Sequence, residues 1–174
     1  MKIFKPKEGR DPVRALTRAG MIAALYIVLT MIFQPISFGP VQFRISEALT
    51  ILPALTVDAV PGLFIGCVLA NLLGHGVWFD VLFGSLATLI AAVFAYKWRR
   101  LPPLAAFSAV LFNTVIVGPV VYFAFVHAPG GAVNWAALLS TAGSVGLGEL
   151  VVCYVLGLVL LYALKRLPKK YFEE

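Results

Sequence analysis

Residues 46–73 read SEALTILPALTVDAVPGLFIGCVLANLL, and the five residues at the centre, Val57-Asp58-Ala59-Val60-Pro61, decide the fold. Taken as one bent helix, the stretch gives a chain that crosses a bilayer five times. Taken as two short apolar segments, 46–56 and 61–73, it gives six. Local chemistry favours the break, because Asp caps helix starts and Pro suits a first helical turn. Charge placement favours it as well. With six spans and the amino terminus inside, the cytoplasm receives Lys2, Lys5, Lys7, Arg10, Arg14 and Arg18, then Lys97, Arg99 and Arg100, then Lys165, Arg166, Lys169 and Lys170. Only Arg44 lies outside. Five spans export the last two groups, against the excess of Lys and Arg that cytoplasmic loops carry.

Working outward, the flanking apolar runs cover 17–33, 81–96, 103–126 and 135–164. A perpendicular helix needs about 20 residues to cross the hydrocarbon core, so the two central segments are short. Room for a cavity is therefore expected in the outer half. The outer connections, 34–45, 74–80 and 127–134, hold Gly, Pro and aromatic residues. The expected architecture is an all-α membrane protein. It is a six-transmembrane-helix bundle with both termini cytoplasmic, one domain over 1–174 that opens with a basic cytoplasmic segment, 1–16.

Composition agrees. Of 174 residues, 61% are hydrophobic and only 13% charged, well away from soluble domains. The net charge of +6 comes from basic residues set between apolar runs, which is a topology signal and not a nucleic-acid face. No A-x-A-like cleavage site follows the first run, so it is expected to be a retained span. Cys67 and Cys153 each lie inside an apolar run and read as small buried hydrophobes, not as a disulfide framework.

Small residues recur every fourth position. Ala15, Ala19 and Ala23 form one stripe, with Gly20 and Ala24 beside it. Gly62, Gly66 and Ala70 form another, extended by Gly74, and Ala142 and Gly146 a third. Such stripes let helices approach closely in lipid. Packing within the bundle explains them, and contact with another protein is the sharper alternative.

Polar residues in the spans carry a cost. A carboxylate at the bilayer centre costs about 2.5–3.5 kcal/mol on insertion scales, and Glu149 sits halfway along the last run. Asn113 falls near the same depth, and Asn71 at the outer end of the third segment. Together they suit a polar solute, although a hydrogen-bond network between helices also accounts for them. At the outer mouth lie Phe43, Arg44, Glu47, His75, Trp78, Phe79 and Asp80. Here Ser46 is a candidate N-cap, Glu47 complements a helix start and is spaced to pair with Arg44, and Asp80 is placed to cap the fourth span. Trp78 and Tyr122 suit interfacial anchoring as well as stacking. His75 and His127 lack companions at metal-ligand spacing. No phosphate-binding loop and no nucleophile elbow occurs, so uphill transport needs a gradient or a partner. No cofactor and no enzymatic activity are expected.

The run Phe38-Gly39-Pro40-Val41-Gln42-Phe43-Arg44-Ile45-Ser46-Glu47-Ala48-Leu49-Thr50-Ile51-Leu52-Pro53 resembles the QueT family of queuosine-precursor S components of energy-coupling factor (ECF) transporters. The stretch from Gly62 to Cys67, then Ala70-Asn71-Leu72 and Asp80, looks similar too, as do size and span count. The F-R-I-S-E-A-L stretch is the specific part. The resemblance implies a plasma-membrane, multi-pass subunit that captures a scarce solute from outside. Such a subunit docks on a transmembrane coupling subunit bound to two cytosolic ATPases. It implies docking through the alanine stripe of the first helix, here Ala15, Ala19 and Ala23. Lys2 follows Met1, which departs from the Met-His start of the nickel and cobalt branch. The implied solute is a 7-deazaguanine such as preQ1 or queuine.

Residue chemistry is compatible. A guanine-like edge suits Glu149 with Asn113, an aminomethyl cation suits Glu47 or Asp80, and Phe43 or Trp78 offers an aromatic wall. Arg44, Asn71 and His75 complete the candidate set. An S component for another vitamin-like solute, thiamine-like cations included, remains an alternative. So does a membrane scaffold whose polar groups only hold helices together. An intramembrane enzyme is a third alternative, without a nucleophile–base or metal constellation to support it.

Overall fold

A computed structural model describes residues 11–38, 43–74, 78–128 and 130–167. Among them the chain is all helix, with no strand. Helix α1 is Pro12–Ile32, α2 Ile45–Ala54, α3 Ala59–Leu73, α4 Asp80–Lys97, α5 Pro102–Val126 and α6 Trp135–Leu164. Four of these, α1, α4, α5 and α6, are long and apolar enough to cross a membrane; α2 and α3 are shorter. Their outward faces are apolar, as with Leu16, Met21 and Val28 on α1 and Leu139, Leu147 and Val159 on α6, so the protein is a multi-pass membrane protein.

The break at residues 57–61 is present. Helix α3 starts at Ala59, behind Asp58. The Asp58 carboxylate does not cap it through its side chain. It meets Arg18 instead, Nη1 to Oδ2 at 3.3 Å, while the Asp58 N–H donates to Thr56 Oγ1 at 3.4 Å. That ion pair ties α1 to the start of α3.

The α1–α3 pair is the closest in the bundle, and glycines explain why. A Cβ on Gly62 would lie 2.6 Å from the Ala19 carbonyl oxygen, and one on Gly66 would lie 2.9 Å from Tyr26 Cβ and 3.0 Å from Ala23 Cα. Gly118 packs in the same way on Ala142 (2.7 Å) and Gly146 on Thr114 (2.5 Å), joining α5 to α6. Backbones meet wherever side chains vanish.

Helix α2 runs through the middle as a ten-residue 3₁₀ helix. Such a helix rises about 2.0 Å per residue and stacks every third side chain, so it has three faces. Leu49 and Leu52 pack among Tyr26, Leu63 and Cys67. Ile51 packs among Ala91, Ala109 and Cys153. The third face carries Glu47, Thr50 and Pro53. Every residue from Ser46 to Pro53 is buried, and the chain wraps its other helices round this segment.

Three long helices contain π-type stretches, at Asp80–Gly84 in α4, Asn113–Val117 and Tyr122–Val126 in α5, and Val152–Gly157 in α6. Such wide turns recur at functional sites. Here they begin at Asp80 and Asn113 and follow just after Glu149.

A candidate solute-binding site at the centre of the bundle

One polar network draws on all six helices. Glu47, from α2, is fully buried. The Tyr26 hydroxyl of α1 donates to its Oε1 in a short hydrogen bond, and Thr88 Oγ1 of α4 lies 3.2 Å from the same oxygen. Thr88 is also 3.4 Å from Cys67 Sγ and 3.1 Å from the Gly84 carbonyl. Having one proton, it favours the carboxylate, the stronger acceptor. One turn along α1, Thr30 Oγ1 meets Ser46 Oγ at 2.7 Å. Two adjacent bonds therefore hold α2 against α1.

On the α3 side, Cys67 Sγ lies 3.5 Å from Asn71 Nδ2 and 3.9 Å from Arg44 Nη1. The Asn71 amide also donates to the Asp80 carbonyl oxygen at 2.9 Å. The Arg44 guanidinium sits in the field of both Glu47 and Asp80 and lies 5.4 Å from the centre of the Phe38 ring. On the α6 side, Cys153 Sγ stands 3.7 Å from the Glu47 carbonyl oxygen and 3.6 Å from Glu149 Oε2. Glu149 in turn interacts with Asn113 and feels the charges of Glu47 and Arg44.

All these charged groups are buried, with Glu47 at 0%, Asp80 at 2%, Arg44 at 4% and Glu149 at 5% exposure. Burying an ionic group is expensive even when partnered. Some polar atoms in this interior have no hydrogen-bond partner: Glu47 Oε2, Asn71 Oδ1, Ser85 Oγ and Asn113 Nδ2. Each costs roughly 1–3 kcal/mol as it stands.

Of the residues expected at the site, Glu47, Arg44, Asn71, Asp80, Glu149 and Asn113 therefore come together. Phe43 is half-buried beside Arg44, with its N–H donating to the Ile36 carbonyl at 2.8 Å. Trp78 does not join them. It is 64% exposed and stacks on Phe79 at 3.8 Å. The aromatic ring over Arg44 belongs to Phe38, which packs against Gly74 where a Cβ would fall 2.6 Å from Phe38 Cζ. His75 lies outside the described residues.

Further expectations need correction. Ser46 is not the cap of α2, because the helix begins at Ile45 behind Arg44 and the Ser46 hydroxyl is engaged with Thr30. Asp80 opens a π stretch behind Phe79, inside a helical run that has already begun at Trp78, so it is not the residue that precedes the helix. The cysteines are buried as expected, but their thiols line the polar network and are not simply apolar filler. Ala19 and Ala23 are buried, Ala19 against Gly62 and Ala23 against Gly66. Ala15 is half-buried, while Gly20 and Ala24 are exposed. An apolar cavity of about 650 Å³ lies between the start of α4 and the second half of α5, lined by Phe79, Phe83, Ile116, Pro119 and Phe123.

The sequence reading missed Tyr26, Thr88, Ser85 and the Thr30–Ser46 pair. Their one visible signal is a hydroxyl in an otherwise apolar span.

The sequence model of the QueT transporter family matches residues 16–166. A curated relative, the Queuosine precursor transporter QueT of Lactococcus lactis subsp. cremoris (strain MG1363), is 40% identical over 72 residues, 40% of this chain. The match spans 42% of that relative's length. No solved structure matches. The family is one of transporters, not of enzymes, and the chain belongs to the QueT transporter family.

Proposed function

We propose that this chain is the solute-capturing S component of an ATP-driven ECF-type importer in the plasma membrane, and that its solute is a cationic 7-deazaguanine. The observation that carries the reading is the set of unpartnered atoms buried in the polar network. Their polarity fits such a solute. Its ring N–H and exocyclic amine need acceptors, its ring carbonyl needs a donor, and a side-chain ammonium needs an anion. Glu149 supplies the acceptor for the ring edge, beside the Cys153 thiol and Asn113. Asn113 Nδ2 supplies the donor, and Glu47 Oε2 and Asn71 Oδ1 supply further acceptors. Three carboxyl groups, Glu47, Asp80 and Glu149, face one guanidinium, Arg44, which favours a cation as guest. Phe38 supplies an aromatic neighbour.

The membrane arrangement follows the same reading. Six spans with both termini cytoplasmic place Lys97, Arg99, Arg100, Lys165 and Arg166 inside. The start of α2, with Arg44 and Glu47, then opens toward the outside. The chain has no phosphate-binding loop, so uphill import needs a gradient or a partner, and the partner proposed is a transmembrane coupling subunit bound to two cytosolic ATPases. Docking on that subunit is assigned to the outward side of α1, where Gly20 has open space at its Cβ position and Ala15 is half-exposed.

The test is a titration of the purified chain in detergent, with its three tryptophans as reporters. Ligands are 7-aminomethyl-7-deazaguanine, queuine, guanine, thiamine and biotin. Saturable submicromolar binding of a 7-deazaguanine alone is expected. Binding of thiamine or biotin instead moves the reading to another vitamin-like solute. No binding at all by folded protein leaves a membrane scaffold.

A further inference from the structure

We infer that Tyr26 and Thr88 are positioning residues that divide the Glu47 carboxylate, holding Oε1 and presenting Oε2 alone to the cationic substituent of the solute. The inference rests on the proposed capture function and goes beyond it, by assigning a role to two residues with no charge of their own.

The geometry is specific. A carboxylate has two oxygens and about four lone-pair sites. At Glu47, the Tyr26 hydroxyl is bonded to Oε1 and Thr88 Oγ1 lies 3.2 Å from it. Oε2 has no partner although the residue is completely buried. The two donors come from different helices, one from α1 and one from α4, and converge on the same oxygen. Neither donor can drift. Tyr26 is fully buried, and its Cβ lies against Gly66, where any side chain would push it aside. Thr88 is fully buried and also in contact with the Gly84 carbonyl and Cys67.

The consequence is chemical. A carboxylate with both oxygens open accepts a guanidine-like edge in a bidentate manner. One with a single open oxygen accepts one donor, which suits a compact ammonium. Glu149 keeps the first character and Glu47 the second. The paired hydroxyls thus separate the roles of two chemically identical side chains. They act on the substituent of the solute and leave its ring edge alone.

The experiment compares affinities of the full-length chain in detergent for 7-aminomethyl-7-deazaguanine and its neutral 7-cyano counterpart. Tyr26→Phe, which removes one oxygen, is expected to weaken binding of the aminomethyl compound about tenfold. Binding of the cyano compound is expected to stay within about twofold. Thr88→Ala is expected to shift the same ratio in the same direction, and Thr88→Ser to restore it. An equal loss for both compounds would show that the hydroxyls only support the fold and would overturn the assignment, as would no loss for either. Should the unmodified chain bind neither compound, the capture reading itself fails, and this assignment with it.

Discussion

Asn71 Nδ2 donates to the backbone carbonyl of Asp80 at 2.9 Å, and that one bond fixes which way the amide faces. A carbonyl oxygen accepts and cannot donate, so the amide nitrogen must lie on the Asp80 side. The amide oxygen is thereby turned to the interior, where it has no partner. The same bond joins the C-terminal end of α3 to the π stretch that begins α4. One side chain therefore braces two helices and offers an acceptor between them.

Replacing Asn71 by Ala removes both functions. The Asp80 carbonyl loses its donor, and a solute loses an acceptor. Net hydrogen bonds are worth about 0.5–1.5 kcal/mol each, so affinity for the solute is expected to fall by about tenfold. The melting temperature in detergent is expected to fall too. Asn71→Asp separates the contributions, since it keeps an inward acceptor but sets an anion against the Asp80 carbonyl. It should melt lower than Asn71→Ala. An Asn71→Ala variant with unchanged affinity would remove Asn71 from the site.

Gly66 tests how α1 and α3 hold Tyr26 in place. A Cβ there would lie 2.9 Å from Tyr26 Cβ and 3.0 Å from the Ala23 backbone, so even Ala forces the helices apart. Overpacking of this kind costs about 1–3 kcal/mol. Gly66→Ala is expected to lower the melting temperature and to weaken solute binding together, because Tyr26 moves away from Glu47. Gly143, where a Cβ meets nothing within 4 Å, is the control, and Gly143→Ala should change neither. Loss of stability at Gly66 with full affinity would show that Tyr26 is held by something other than this packing.

How far the sequence reveals this arrangement depends on how much each residue costs in lipid. Glu149, Asn113 and Asn71 are legible because burying them without purpose is expensive. Glu47 and Arg44 are legible through the specific stretch that contains them. The break at Asp58 is legible from turn chemistry, although the carboxylate goes to Arg18 and not to the helix start. Thr88 and Ser85 are hidden, because a Ser or Thr hydroxyl in a helix can bond its own backbone and so costs little anywhere, and Tyr26 is hidden because a tyrosine in a span also suits an interfacial anchor. The 3₁₀ character of α2 is hidden too. A segment buried on all sides shows no polar face from which a period can be read. Stripes of small residues reveal close approach but not its direction. The Ala19 and Ala23 stripe thus reads as packing within the bundle by its pattern and as a face for another protein by the resemblance, and in the structure the two residues pack on Gly62 and Gly66.

Glu149 is a buried carboxylate beside a thiol and an amide. Its Oε2 is approached by the Cys153 thiol at 3.6 Å, a weak donor, and its setting includes Asn113 and the distant charge of Arg44. Two N–H groups on one edge of a guanine-like ring match two oxygens of one carboxylate. Glu149→Gln keeps the shape but turns one acceptor into a donor, which then meets an N–H of the solute head-on. Such a mismatch in a water-excluded site is expected to weaken binding by about tenfold or more. Shape loss alone would do the same, so the solute must be varied as well. An analogue without the exocyclic amine should bind the unmodified chain weakly, because one Glu149 oxygen is then unmatched. To the Gln variant it should bind about as well as the parent compound. Coupling between the amine and the carboxylate is what such a cycle measures. Equal discrimination by both proteins would place the ring edge elsewhere and leave Glu149 a structural partner of Asn113 and Cys153.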